Sequence, residues 1–274
     1  TLLQQPTAVD AASLLGEPSD PVAAVTQDSA SILGAGFAAA VFNRFGSADR
    51  AQCMSTDSIS NARNCSWLRG LRQWGDAKGD AFGPRHDWTT DGVQIGIDHT
   101  ASDWTLGVSA SHADTRAQDI RGARNDLRST LGGVYANYAG ERLGFGAVAL
   151  YGTHDSRTLR GVNVGAVMQQ ARATFDYDSA GAGLRVDYRL TGADRALVRP
   201  FAEAFYHRID GAPFAEQDAG IGNLSGTVQT REGLRGTLGL QLADDYAGYG
   251  LKFRPSLEVG VVHQFLDTRS SLDL

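Results

Sequence analysis

The chain has 274 residues, 33 of them Gly and only 7 Pro, and a net charge of −6. It lacks the clustered basic surface that a phosphate backbone requires, so nucleic acid is excluded as a partner, and no run of ~18 apolar residues exists to form a transmembrane helix. The slightly negative mean hydropathy does not exclude a membrane barrel, because alternating polar residues dilute each strand.

Residues 1–26 mix Ala, Pro, Asp and Ser, with Glu17-Pro18-Ser19-Asp20-Pro21 as a helix breaker, and read as a linker. Thr1 to Asp10 carries neither the basic start nor the apolar core of a signal peptide. For a protein destined beyond the inner membrane, the expectation is a chain cut from something longer. A helix is expected from about Gln27 to Phe45, with Thr26 or Asp28 available as cap and Gly46 just beyond.

That helix is thin: Gly34, Ala35, Gly36, Ala38, Ala39 and Ala40 surround a narrow stripe of Leu33, Phe37, Val41 and Phe45. It spans ~28 Å at the usual rise, about the height of a bilayer's hydrocarbon core. Two readings stand, a helix threading a barrel lumen and an ordinary amphipathic helix on a soluble core. Residues 47–65 form a polar connector holding Cys53 and Cys65.

Nine strands follow, at about Ser66–Asp76, Thr90–His99, Asp103–Ala113, Leu127–Ala139, Arg142–Thr153, Asp176–Leu190, Leu197–Ile209, Thr230–Leu242 and Gly250–Leu266. The last two are the clearest, with Leu234, Leu238, Leu240 and Leu242, then Leu257, Val259 and Val261, on one parity and polar or small residues on the other. Strands one, four and five carry apolar residues on both parities, which leaves their facing open. Strands longer than ~9 residues suit tilted crossings of hydrocarbon, with lipid outside and water within. Short turns at Thr100-Ala101-Ser102, Gly140-Glu141, Thr191–Arg195 and Asp244–Gly248 alternate with longer segments at Ala77–Thr89, Asp114–Asp126, Arg157–Arg172 and Asp210–Gln229, as barrel connections do.

Little chemistry is written in the chain. The six histidines show no metal-ligand spacing, no G-x-S-x-G elbow is present, and Gly34-Ala35-Gly36 lies within an Ala-rich helix without a preceding strand. No cofactor, metal or catalytic residue is expected, and any enzymatic activity would belong to another domain. Arg185, Asp187, Glu203, Arg235, Arg254 and Glu258 fall on polar parity, where a barrel interior gathers both signs. They form either a solvated strand face or a network that holds the helix or eases passage of an extended chain.

The helix, the connector, Trp67-Leu68-Arg69-Gly70, Asp91-Gly92-Val93-Gln94-Ile95-Gly96-Ile97-Asp98 and Leu106-Gly107-Val108-Ser109 occur in an order that resembles the translocator β-domain of autotransporters, the type V secretion proteins of Gram-negative bacteria. Gly133-Val134-Tyr135-Ala136, Arg199-Pro200-Phe201 and Arg254-Pro255-Ser256-Leu257-Glu258-Val259-Gly260 continue the likeness. The resemblance implies an all-β, transmembrane antiparallel barrel of twelve strands in the cell outer membrane, with the helix of residues 27–46 in its lumen. It further implies partners: an N-terminal passenger reached through residues 1–26, the outer-membrane lipid and the barrel assembly machinery, for a monomeric barrel at 66–274. The expected barrel is incomplete, since the chain stops at Leu274 with no closing strand ending in Phe or Trp. On this topology Cys53 and Cys65 sit at the periplasmic mouth, an oxidising compartment, and are expected to pair. The alternative function is a porin-like or adhesin-like barrel without a translocation role.

Overall fold

The computed structural model describes residues 21–42, 63–77, 86–119, 122–164, 167–190, 197–244, 246–248, 251–253, 256–265 and 272–273. The one α-helix among them, α1 (Pro21–Phe42), begins at Pro21 instead of the expected Gln27, and a single 3-10 turn stands at Gly220–Gly222. The breaker read into Pro21 is a helix start, because the N–H that proline lacks is one of the donors a first turn leaves unused. Phe45 lies outside the described residues.

The strands are β1 (Arg63–Ala77), β2 (His86–Ala101), β3 (Trp104–Asp119), β4 (Arg124–Ala139), β5 (Leu143–Val164), β6 (Val167–Tyr188), β7 (Leu197–Ile209), β8 (Ala212–Ala215), β9 (Ser225–Val228), β10 (Arg231–Ala243), β11 (Tyr246–Gly248), β12 (Leu251–Phe253), β13 (Ser256–Gln264) and β14 (Leu272–Asp273). Nine of them make one antiparallel sheet in the order β1-β2-β3-β4-β5-β6-β7-β10-β13. β8, β9 and β14 form a separate three-stranded sheet, and β11 pairs with β12.

The nine expected strands are present, but two expected loops are not. Residues 114–119 and 124–126 stay paired between β3 and β4, out to Gln118 opposite Arg124, and β5 and β6 pair as far as Val164 opposite Val167. Alternation of apolar residues fades there because the outward side chains become Asp, Arg and Thr, while backbone pairing continues. Of the expected strand nine, Leu251–Phe253 and Ser256–Gln264 are strands, and Gly250, Arg254, Pro255 and Leu266 lie outside the described residues.

The sheet is inside out compared with a soluble protein. Val93, Ile95 and Ile97 of β2 are exposed, whereas Thr90, Gln94 and Asp98 on its other face are buried. Ile97, Val108, Val134, Ala149, Ala182 and Tyr206 are successive cross-strand neighbours, so one outward row runs unbroken from β2 to β7. An exposed apolar row of that length fits lipid, not water. The aromatic pair Trp104–Tyr138, with ring centroids 5.2 Å apart, sits at one edge of the apolar band, as interfacial aromatics do.

The two ends of the sheet differ. At one end the connections are short, Ser102–Asp103 and Gly140–Arg142. At the other, β5 and β6 run on for 22 residues each, about 70 Å of strand and far more than tilted crossing requires. Past Tyr151, the outward residues of β5 are Thr153, Asp155 and Arg157, which marks where the apolar band stops. α1 lies in the hollow of the sheet against β2 through β7.

Candidate functional site: the lumen around the helix

α1 enters the hollow at the extended end and leaves it at the short-turn end. Gln27 Nε2 donates to the carbonyl of Gln229, in the β9–β10 connection, at 2.7 Å. At the other end, Asn137 Nδ2 donates to the carbonyl of Val41 at 3.0 Å, two residues before β4 ends. The expected stripe is buried: Leu33, Phe37 and Val41 are each no more than 4% exposed. It continues to Phe42, also buried.

Small residues permit this close packing. A Cβ on Gly133 of β4 would lie 2.9 Å from Phe37, one on Gly183 of β6 3.1 Å from Phe42, and one on Gly34 of the helix 3.5 Å from Phe205. Phe37, Val41, Phe42, Trp67, Leu131, Tyr135, Val148, Leu150 and Phe205 form one core at the short-turn end. Ala30 and Leu33 join Phe175, Tyr177 and Ile209 in a second core at the extended end. These contacts explain why strands one, four and five are apolar on both parities. One face meets lipid and the other meets α1.

Beneath the helix, Trp67 Nε1 donates to the Tyr135 hydroxyl at 3.1 Å, and that hydroxyl donates to Asp98 at 2.7 Å. Trp67 lies flat over Gly96 and Tyr135 over Gly107, where a Cβ would collide with either ring. Cys65, opposite Asp98, is buried and takes part in a disulfide; Cys53 lies outside the described residues.

The lumenal charges gather near the short-turn end, beside the helix's C-terminal core. Arg185 is 1% exposed; its guanidinium lies 3.7 Å from Glu203, 3.2 Å from Glu258 and 3.9 Å above the Phe201 ring. Glu203 is its direct partner on β7, but Glu258 stands on β13, reached across the hollow past β7 and β10. Arg199 pairs with Asp187 at 3.0 Å. Arg235 is half-buried on the same face, and Arg254 lies outside the described residues.

Polar groups that sequence reasoning passed over line the extended end. His154 sits beyond the apolar band, between Ser129 and Ser179 at 2.8 Å on its two ring nitrogens, and stacks on Tyr177 at 4.8 Å. Burial lowers its pKa from the ordinary 6.5 to about 4, against the pull of Asp178 and Asp155. Above it Arg160 grips Glu216 through two of its nitrogens, Nε at 3.1 Å and Nη2 at 2.5 Å, and fastens the connection between β8 and β9 onto β5. Inward parity was the available signal for Asn137 and His154, both on the buried face of their strands. Among the described residues no cluster of three or more His, Cys, Asp or Glu side chains is arranged to hold a metal.

This arrangement of a helix inside a hollow sheet has known counterparts. The family profile of the autotransporter β-domain matches residues 66–274. Two curated relatives, both extracellular serine proteases of Serratia marcescens, are 27% identical over 208 residues and 26% identical over 205. Each match covers 74% of this chain but 19% of the relative, so the chain spans about a fifth of the length of these relatives. Among solved structures, the translocator domain of the autotransporter NalP from Neisseria meningitidis is similar with a TM-score of 0.69 at 13% identity, over 92% of this chain and 80% of that one. The β-domain of the Bordetella autotransporter BrkA is similar with a TM-score of 0.54 at 21% identity, over 76% of this chain and 81% of that one.

Proposed function

Since the chain belongs to the autotransporter β-domain family and is therefore an outer-membrane translocator barrel of type V secretion, we propose that α1 is the trailing segment of an exported passenger, held in the lumen after translocation. The direction of α1 carries this reading. Its N-terminal end meets the extended, extracellular side at Gln229 and its C-terminal end meets Asn137 on the short-turn, periplasmic side, where β1 begins. Anything joined before Pro21 is thus led to the cell surface.

Residues before α1 then serve as passenger tail or linker, and residues 43–62 as the periplasmic connector, tied by a Cys53–Cys65 disulfide. Translocator β-domains are not catalytic, so an enzymatic activity would reside in the passenger; the Serratia relatives are extracellular serine proteases. Insertion by the barrel assembly machinery and a monomeric barrel in lipid complete the proposal. A diffusion porin fits less well, because Phe37, Val41 and Phe42 occupy space that a porin keeps open to water.

An epitope placed before Pro21 in the full-length protein tests this. It should be accessible to antibody on intact cells, and deletion of residues 27–42 should abolish that display while the barrel still inserts. An epitope reachable only after the outer membrane is opened would overturn the assignment.

A further inference from the structure

The outward face of β3, β4 and β5 continues past the apolar band, and its chemistry there is patterned. In cross-strand register, Asp114, Arg128 and Asp155 make one row beyond the band, and Arg116, Asp126 and Arg157 make the next. Arg124 follows two residues beyond Asp126 on the same face of β4. All are exposed.

In the lower row Arg128 pairs with Asp114 at 3.3 Å, while Asp155 faces a second carboxylate, Asp176, its cross-strand neighbour on β6. In the upper row Asp126 stands between three guanidinium groups, none of which closes an ion pair with a described carboxylate. Counted with Arg124, the upper row carries three positive charges and one negative on a face turned away from the lumen, so cation is in excess at that level only.

Height decides what meets this face. Arg157 follows Tyr151 by six residues, about 20 Å along the strand and ~15 Å above the edge of the apolar band at a usual tilt. Because the same face touches hydrocarbon lower down, this part touches the headgroup layer. The passenger emerges from the lumen on the opposite side of the sheet, which disfavours it as the occupant.

We propose that Arg116, Arg124 and Arg157 form a seat for the phosphorylated saccharide headgroup of the glycolipid in the outer leaflet. Arg116 and Arg157 flank Asp126 at one strand spacing each, so their backbones stand about 10 Å apart, and Arg124 lies ~7 Å further along β4. Planar guanidinium forks match phosphate oxygens two at a time, while Asp126 can accept from sugar hydroxyls. The seat rests on the membrane orientation given above and not on what the passenger does.

The full-length protein in detergent, titrated with lipopolysaccharide, with the same lipopolysaccharide after enzymatic dephosphorylation, and with inorganic phosphate, tests the proposal. The intact glycolipid should bind and slow amide exchange in residues 114–118 and 124–128. Arg116→Ala, Arg124→Ala and Arg157→Ala should each weaken binding about fivefold, while Arg208→Ala, on β7 and already paired with Asp210 and Glu232, should leave it unchanged. Heat-modifiable mobility reports folding of each variant, and the single variants carry the comparison should a triple variant fail to insert. Equal binding by wild type and the three variants, undiminished binding of dephosphorylated glycolipid, or equally tight binding of inorganic phosphate alone would overturn it.

Discussion

Asn137 donates from Nδ2 to the backbone carbonyl of Val41 at 3.0 Å, so a side chain of the barrel wall closes a bond that the last turn of α1 cannot close within the helix. Both residues are buried, Asn137 at 1% exposure. Replacing Asn137 with Leu keeps the branched outline of the side chain but leaves a buried carbonyl without a donor, at a cost of about 1–3 kcal/mol. The loss should fall on the helix, not the barrel. Heat-modifiable mobility of the full-length variant should be retained while α1 becomes sensitive to a protease that wild type resists; unchanged protection would show that this bond does not anchor the helix.

Leu238 and Thr237 are adjacent on β10 and face opposite ways. Leu238 is 69% exposed in the apolar band, whereas Thr237 points inward, opposite Glu203. A Lys at 238 meets hydrocarbon and should cost about 2–4 kcal/mol near the midplane. A Lys at 237 meets a carboxylate and should be tolerated. Urea titrations of the two variants in lipid decide the point: equal losses would mean that the outward face is not the lipid face.

The barrel was legible where a strand has one apolar and one polar face, as at Val93-Gln94-Ile95 or Leu234 to Leu242. It was ambiguous in β1, β4 and β5, because Trp67, Leu131, Tyr135, Val148 and Leu150 are apolar for the sake of α1 while Leu68, Val134 and Ala149 are apolar for the sake of lipid. Two environments of similar hydrophobicity erase the alternation that separates them. Parity places Arg185, Asp187, Glu203 and Glu258 on one face, where Arg185 lies beside Glu203 and Glu258 and Asp187 pairs with Arg199. That Arg185 reaches Glu258 on a strand three places along the sheet depends on curvature, which no local pattern encodes. The start of α1 was hidden because Pro21 reads equally as a breaker and as a first helical residue.

His154 couples the extended end to pH. Its folded-state pKa, about 4, lies below its ordinary 6.5, so the folded protein binds fewer protons than the unfolded chain between those values. The stability this group contributes is therefore complete above about pH 6.5 and is lost as pH falls towards about 4, at most on the order of 3 kcal/mol. Ser129, Ser179 and the Tyr177 ring face the imidazole, and the carboxylates of Asp155 and Asp178 moderate the loss. His154→Asn should flatten the dependence of the unfolding midpoint on pH across this window; a slope equal to wild type would remove His154 as its source.

Arg185 holds two carboxylates at once, Glu203 at 3.7 Å and Glu258 at 3.2 Å. Changing it to Met removes a partner of the partly exposed Glu258 and strands the buried Glu203, and the cost of stranding a buried charge is about 3–5 kcal/mol. The further change of Glu203 and Glu258 to Gln should recover most of that loss, because the penalty lies in the stranded charge and not in the missing bond. Unfolding midpoints of the single, double and triple variants form the test. A triple variant no more stable than Arg185→Met would place the value of Arg185 in its contact with Phe201 instead.

Cys65 stands on the inward face of β1 near its periplasmic start, opposite Asp98 and two residues before Trp67, and it is oxidised. If Cys53 is its partner, the bridge ties the segment leaving α1 to the strand that begins the wall. A loop of that size contributes about 2–3 kcal/mol by restricting the unfolded chain, and it also limits how far the end of α1 can swing from Asn137. Cys53→Ser and Cys65→Ser should therefore lower stability by similar amounts, and the double variant by no more than either alone, since each removes the same bond. Thiol titration in denaturant of the oxidised full-length protein gives the direct reading: neither cysteine should react before reduction and both should react after it. Two reactive thiols before reduction, or additive losses in the double variant, would break the link between Cys53 and Cys65.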